Sequence, residues 1–130
     1  MAEQQSRRIL VVEDDRSEAN ILRKRLELSG FTVHIEERGA SALSDAAEHR
    51  PDLVILDVKL PDISGGEVAR QLRKLYHRWD VPIMMLTGMD QPIDQLRGFA
   101  CGADAYLTKP YDFSELMHTI ALLLGETVPT

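Results

Sequence analysis

Three four-residue runs without a polar side chain, Ile9–Val12, Leu53–Leu56 and Ile83–Leu86, constrain this chain more than any other feature in it. Each is bounded by acidic, glycine or proline residues and is too short to be a helix, so each reads as a strand buried on both faces. Strands of that kind belong inside a parallel sheet covered by helices on either side. Phe31–Ile35 alternates instead, with Thr32 and His34 separating Phe31, Val33 and Ile35, as expected of an edge strand with one less protected face. A fifth, short strand fits Ala105–Leu107.

Between the runs the apolar period lengthens to that of helices. Val68, Leu72 and Leu75 share one face, with Arg70, Arg73 and Lys74 outside it. Further helices fit Ser17–Ser29, ended by Gly30; Ala40–His49, ended before Pro51; Pro92–Ala100, where proline suits a first turn; and Phe113–Leu124. Five strands alternating with five helices predict an α/β domain with a doubly wound parallel sheet, because each right-handed crossover lays its helix against the sheet. The 130 residues, 44% of them hydrophobic, suffice for one core, so residues 1–130 are expected to be a single domain with its core at about 7–125.

Composition narrows the function classes. A formal charge of -6 offers no basic field for a phosphodiester backbone or an anionic membrane, so direct nucleic-acid or membrane binding is not expected. Cys101 is the one cysteine and cannot form an internal disulfide. No stretch approaches the roughly 20 apolar residues of a membrane span, and Met1–Arg8 lacks the apolar core of a signal peptide. A cytoplasmic location is the resulting expectation. His34, His49, His77 and His118 are too dispersed for a local ligand motif and read as surface or packing residues.

In a doubly wound sheet, ligands bind at the carboxyl ends of the strands. Those ends carry Glu13, Asp14 and Asp15 after the first run, Asp57 after the third strand, Thr87 and Gly88 after the fourth, and Thr108, Lys109 and Pro110 after the fifth. Taken singly, each has a plain alternative: Asp15 or Ser17 capping a helix, Asp57 opening a turn, Lys109-Pro110 forming one. Together they demand more. Two carboxylates about 4 Å apart repel by roughly 4 kcal/mol at an effective dielectric near 20. Gathering Glu13, Asp14 and Asp57 therefore calls for a cation, and all-oxygen ligands point to Mg2+ or Mn2+. Phosphoryl transfer suits the remaining residues: Asp57 as carboxylate nucleophile, Lys109 as a point charge for a phosphoryl oxygen, Thr87 as hydroxyl donor, and Gly88 leaving room.

The segments ILVVEDD (9–15), LVILDVKLPDISG (53–65), MLTG (85–88) and GADAYLTKP (102–110), in order and at these separations, make the chain resemble the response-regulator receiver family over residues 7–125. That resemblance implies a flavodoxin-like (βα)5 fold with strand order 2-1-3-4-5. It also implies phosphoryl transfer from the phosphohistidine of a sensor histidine kinase or histidine phosphotransfer protein to Asp57. Glu13, Asp14, Asp57 and the backbone carbonyl of Lys59 would hold the metal, and no further cofactor is expected. Thr87 and Lys109 would contact the phosphoryl group, Thr87 and Tyr106 would form the switch, and Lys109-Pro110 would be cis. The domain would be a signalling module that catalyses only its own phosphorylation and dephosphorylation. On phosphorylation, Thr87 would move toward the phosphoryl oxygens and the Tyr106 ring would turn inward.

Output is expected at the Pro92–Leu124 face, to an effector domain or a homodimer. Arg97, Asp104 and Glu115 match the charges of the winged-helix branch of the family, but Ala105 and Thr119 do not, so apolar contact through Ala121 and Leu122 is expected to dominate. Three other functions compete with this reading. A flavin binder is disfavoured by the acidic loop Glu13-Asp14-Asp15, which repels a phosphate. An aspartyl phosphatase lacks a second acid at Lys59. A degenerate receiver, acting as a phosphorylation-independent interaction module, is the remaining alternative. The tail from Gly125 to Thr130 reads either as a frayed end or as the start of a linker.

Overall fold

The computed structural model describes residues 6–125; the polar ends read above, 1–5 and 126–130, lie outside the described residues. Five parallel strands, β1 (Arg8–Val12), β2 (Thr32–Glu36), β3 (Leu53–Leu56), β4 (Ile83–Thr87) and β5 (Ala105–Thr108), form one sheet in the order β2-β1-β3-β4-β5. Five helices connect them: α1 (Arg16–Leu28), α2 (Gly39–Glu48), α3 (Gly65–Leu75), α4 (Pro92–Ala100) and α5 (Phe113–Leu124). The expected fold and strand order are both present.

Side-chain alternation splits the apolar runs between two cores. Ile9, Val11, Leu53, Ile55, Met84, Leu86 and Leu107 meet Leu22 and Leu26 of α1 and Leu116 and Ile120 of α5. On the opposite face Leu10, Val12, Val54, Leu56, Ile83 and Met85 meet Ala42 and Ala46 of α2 and Val68, Ala69 and Leu72 of α3. Every residue of the three runs is at most 4% exposed. The runs lack polar residues because both faces of the central strands are covered.

Four expectations shift. Leu75 is 49% exposed, because Ala69 rather than Leu75 completes the buried stripe of α3. Arg73 is not a solvated residue: its guanidinium donates to the carbonyls of Val81 (2.6 Å) and Gly102 (3.0 Å) and pairs with Asp104 at 2.6 Å. Asp104 also accepts the Ile83 N–H at 2.9 Å, so its carboxylate is committed inward rather than offered to a partner. On the output face Ala121 is buried, while Ile93, Leu96 and Phe99 of α4 join Leu122 as exposed apolar residues.

Candidate functional site

Backbone hydrogen bonds extend the sheet one step past the strands and fix the origins of the rim side chains. Asp57 N–H donates to the Val12 carbonyl at 3.0 Å, Glu13 N–H to that of Glu36 at 3.0 Å, and Lys109 N–H to that of Thr87 at 2.8 Å. Glu13, Asp57, Thr87 and Lys109 thus arise at one edge of the sheet, and the peptide between Lys109 and Pro110 is cis.

Lys109 organises this edge. Its ammonium donates to Glu13, to Glu18 at 2.7 Å and to Asp57 Oδ2 at 3.1 Å. The other oxygen of Asp57 accepts the Lys59 N–H at 3.1 Å, so the 57–59 turn folds back over the carboxylate. Burial pushes the Glu13 carboxyl upward while Lys109 pulls it back. Burial would likewise discharge Lys109, but its hydrogen bonds to the three carboxylates outweigh that and hold it protonated. A cleft of about 220 Å³ opens here, lined by Glu13, Glu18, Ile21, Asp57, Lys109 and Tyr111 among others.

The donor set suits a hard divalent cation. One ammonium faces the carboxylates of Glu13, Glu18 and Asp57, with Asp14 exposed nearby in sequence, so negative charge is in excess and every candidate ligand is oxygen. Lys109 draws Glu13 and Asp57 together, and the side chain of Asp14, next in sequence to Glu13, is exposed. Among the described residues, the only set of three or more histidine, cysteine or carboxylate donors mutually within 4.8 Å is that of His34, Glu36 and Asp45.

Glu18 escaped the sequence reading. Its position three residues after Asp15 fits a capping box, and Asp15 does accept the Glu18 N–H at 3.1 Å. The Glu18 carboxylate turns instead to Lys109, and the Asp15 N–H is taken by Glu13 Oε2 at 3.2 Å. That divided capping box is the signal that could have revealed it.

Thr87 is 1% exposed, and its hydroxyl oxygen accepts the Met89 N–H at 3.4 Å, leaving its O–H as donor. Tyr106 donates to the Met89 carbonyl at 2.7 Å. Met89 therefore joins the two expected switch residues through its backbone. The ring already packs inward against Gly98 of α4, where a Cβ would stand 2.9 Å from it and from the Met85 sulfur. A Cβ at Gly88, by contrast, would meet nothing within 4 Å.

The model of the response regulator receiver domain matches residues 9–121. A response regulator MprA from Mycobacterium sp. (strain KMS) is 43% identical over 122 residues, covering 94% of this chain and 52% of that protein. The chain thus spans about half the length of the curated relatives it matches. A CheY-like receiver domain protein from Methanospirillum hungatei JF-1 superposes with a TM-score of 0.87 at 29% identity, covering 93% of this chain and 95% of that one. The BeF3-activated N-terminal receiver domain of Klebsiella pneumoniae RstA gives 0.85 at 31% identity, covering 90% and 97%. A family model spanning most of the chain, relatives that agree with it, and the β2-β1-β3-β4-β5 sheet concur: this chain belongs to the response regulator receiver family.

Proposed function

We propose that Asp57 accepts a phosphoryl group from the phosphohistidine of a sensor histidine kinase or a histidine phosphotransfer protein. The observation that carries this reading is the Lys109 ammonium, held against both Glu13 and Asp57 at the carboxyl edge of the sheet. An Asp57 oxygen attacks phosphorus as the phosphorus–nitrogen bond to the donor imidazole breaks. Lys109 orients the carboxylate beforehand and neutralises phosphoryl oxygens afterwards. The Thr87 hydroxyl, whose hydrogen is uncommitted, donates to another phosphoryl oxygen.

Glu13, Asp14, Asp57 and the Lys59 carbonyl would hold Mg2+, or Mn2+, which when bound supplies charge neutralisation for the transferring group. Asp14 would join them from its exposed position beside Glu13. Glu18 is left as the partner that Lys109 releases when it shifts toward the phosphoryl group.

Output follows from Met89. When the Thr87 hydroxyl moves to the phosphoryl group, it leaves the Met89 N–H, and the loop shared with Tyr106 is free to resettle against α4. The exposed Ile93, Leu96, Phe99 and Leu122 then offer an apolar surface to an effector domain or a second copy. Retention of every chemical residue favours this reading over a degenerate receiver. Incubation with a small acyl phosphodonor, with and without Mg2+, tests it by intact-protein mass. One added phosphoryl group, dependent on Mg2+ and lost in Asp14→Ala, is expected; labelling indifferent to both would overturn it. Calorimetry is the suitable readout for metal binding, because Trp79 lies in the loop leading to the amino end of β4, away from the site, and is 84% exposed.

A further inference from the structure

The covered face of the sheet carries a polar group at its β2 edge that the phosphoacceptor chemistry does not use. The β1–β2 register sets Leu10 beside His34 and Val12 beside Glu36. Leu10 and Val12 pack under α2, so His34 and Glu36, two residues apart on one strand, face the same helix. Apolar residues would suit that position; instead α2 contributes Asp45 to meet them. His34 Nε2 lies 2.5 Å from Glu36 Oε2 and 3.6 Å from Asp45 Oδ1.

Arg8 prepares the third member. Its guanidinium pairs with Asp45 Oδ2 at 2.6 Å and donates to the His49 carbonyl at 3.0 Å, which orients the carboxylate and leaves Oδ1 directed at the imidazole. Outer partners of this kind hold metal ligands in place. The Asp45 side chain is 13% exposed and that of Glu36 23%, while the 43% exposure of His34 leaves an entry path. A tetrahedral ion with bonds of about 2.0–2.1 Å separates its ligand atoms by about 3.3 Å. The Asp45 oxygen already suits that spacing, and the His34–Glu36 pair must open by less than about 1 Å as the ion replaces the shared proton.

We infer that His34 Nε2, Glu36 Oε2 and Asp45 Oδ1 form a binding site for a divalent transition ion of the zinc class. One imidazole nitrogen with two carboxylate oxygens selects zinc-like ions over magnesium, which the oxygen-only phosphoacceptor cleft prefers. The dispersal of the four histidines hid this site, because its ligands come from a strand and from the following helix.

Zinc titration of the wild-type protein by calorimetry, in saturating Mg2+ so that the acidic cleft is occupied, provides the test. Saturable one-to-one binding is expected, with amide shifts confined to residues 33–46 and about Arg8. His34→Gln should weaken zinc at least tenfold while the zinc-free protein stays folded by circular dichroism, and Glu36→Gln should weaken it similarly. Absence of saturable binding, or undiminished affinity in both variants, would overturn the assignment, as would shifts centred on Glu13 and Asp57.

Discussion

Gly65 opens α3 directly beneath the proposed phosphoacceptor, and replacing it with alanine probes how tightly fold and site are joined. Its N–H donates to the Val58 carbonyl at 2.7 Å. A Cβ there would stand 2.2 Å from the Asp57 carbonyl oxygen and 2.8 Å from Val58 Cα, both backbone atoms that cannot swing aside. Restoring an ordinary carbon–oxygen contact of about 3.3 Å requires the start of α3 to retreat by roughly 1 Å. The retreat loosens Val68, Ala69 and Leu72, each at most 1% exposed. Overpacking of this kind costs about 1–3 kcal/mol, against a helix-propensity gain of at most about 1 kcal/mol. A net loss of about 1–2 kcal/mol is expected, lowering the melting temperature by roughly 3–8 °C for a domain of this size. A 1 Å displacement of reacting groups can also slow chemistry by about 100-fold, so phosphorylation should fall by one to two orders of magnitude. Urea denaturation followed by circular dichroism, with phosphodonor labelling rates in parallel, measures both. Gly88→Ala is the control for stability, since a Cβ there meets nothing within 4 Å. Stability within about 0.5 kcal/mol of wild type for Gly65→Ala, with an unchanged labelling rate, would refute the reasoning.

Asp62 caps α2 from a distant loop, accepting the N–H groups of Gly39 (2.8 Å) and Ala40 (2.9 Å) where Arg38 offers no side-chain cap. Those bonds hold its carboxyl at about 2, below its ordinary 3.8, so the stabilisation is present above pH 4 and lost as pH falls toward 2. Asp62→Ala should therefore be less stable at neutral pH and converge with wild type over that acid window in pH-dependent urea denaturation. Arg73→Met should cost about 2–3 kcal/mol by leaving Asp104 half-buried without its cation, and Asp104→Asn added to it should recover part of the loss in a double-mutant cycle; additivity would contradict this. Thr87→Ala should still be labelled at Asp57, yet it and Tyr106→Phe should show diminished beryllofluoride-induced amide shifts over Pro92–Leu124, with wild-type shifts in both excluding Met89 as the link.

The sheet was legible because both-face burial leaves an unmistakable mark: Leu53–Leu56 has no polar residue, and its neighbours in the sheet do likewise. The rim residues Glu13, Asp57 and Thr87 were legible because they directly follow such runs, and Lys109 because it follows the short fifth strand in the segment GADAYLTKP. Long polar side chains were not. Arg73 and Asp104 look like surface charges, yet the reach of a guanidinium lets one residue tie three backbone or carboxylate groups from the loops before β4 and before β5. Glu18 was masked by a capping spacing that its backbone honours and its side chain does not. Period alone places Leu75 on the face of Val68 and Leu72, although a stripe of Val68, Ala69 and Leu72 already fills the space beside α2. The position of the Tyr106 ring depended on the absence of a side chain at Gly98, which periodicity cannot weigh.

Localisation of the phosphoryl group tests the central claim most directly. Protein labelled with a small phosphodonor in Mg2+ is reduced with borohydride, which converts an aspartyl phosphate to homoserine, and its peptides are sequenced by mass spectrometry. Homoserine at position 57 alone, absent when Asp57→Asn is treated identically, is the predicted result; conversion at Asp14, Asp15 or Glu13 in place of Asp57 would contradict it.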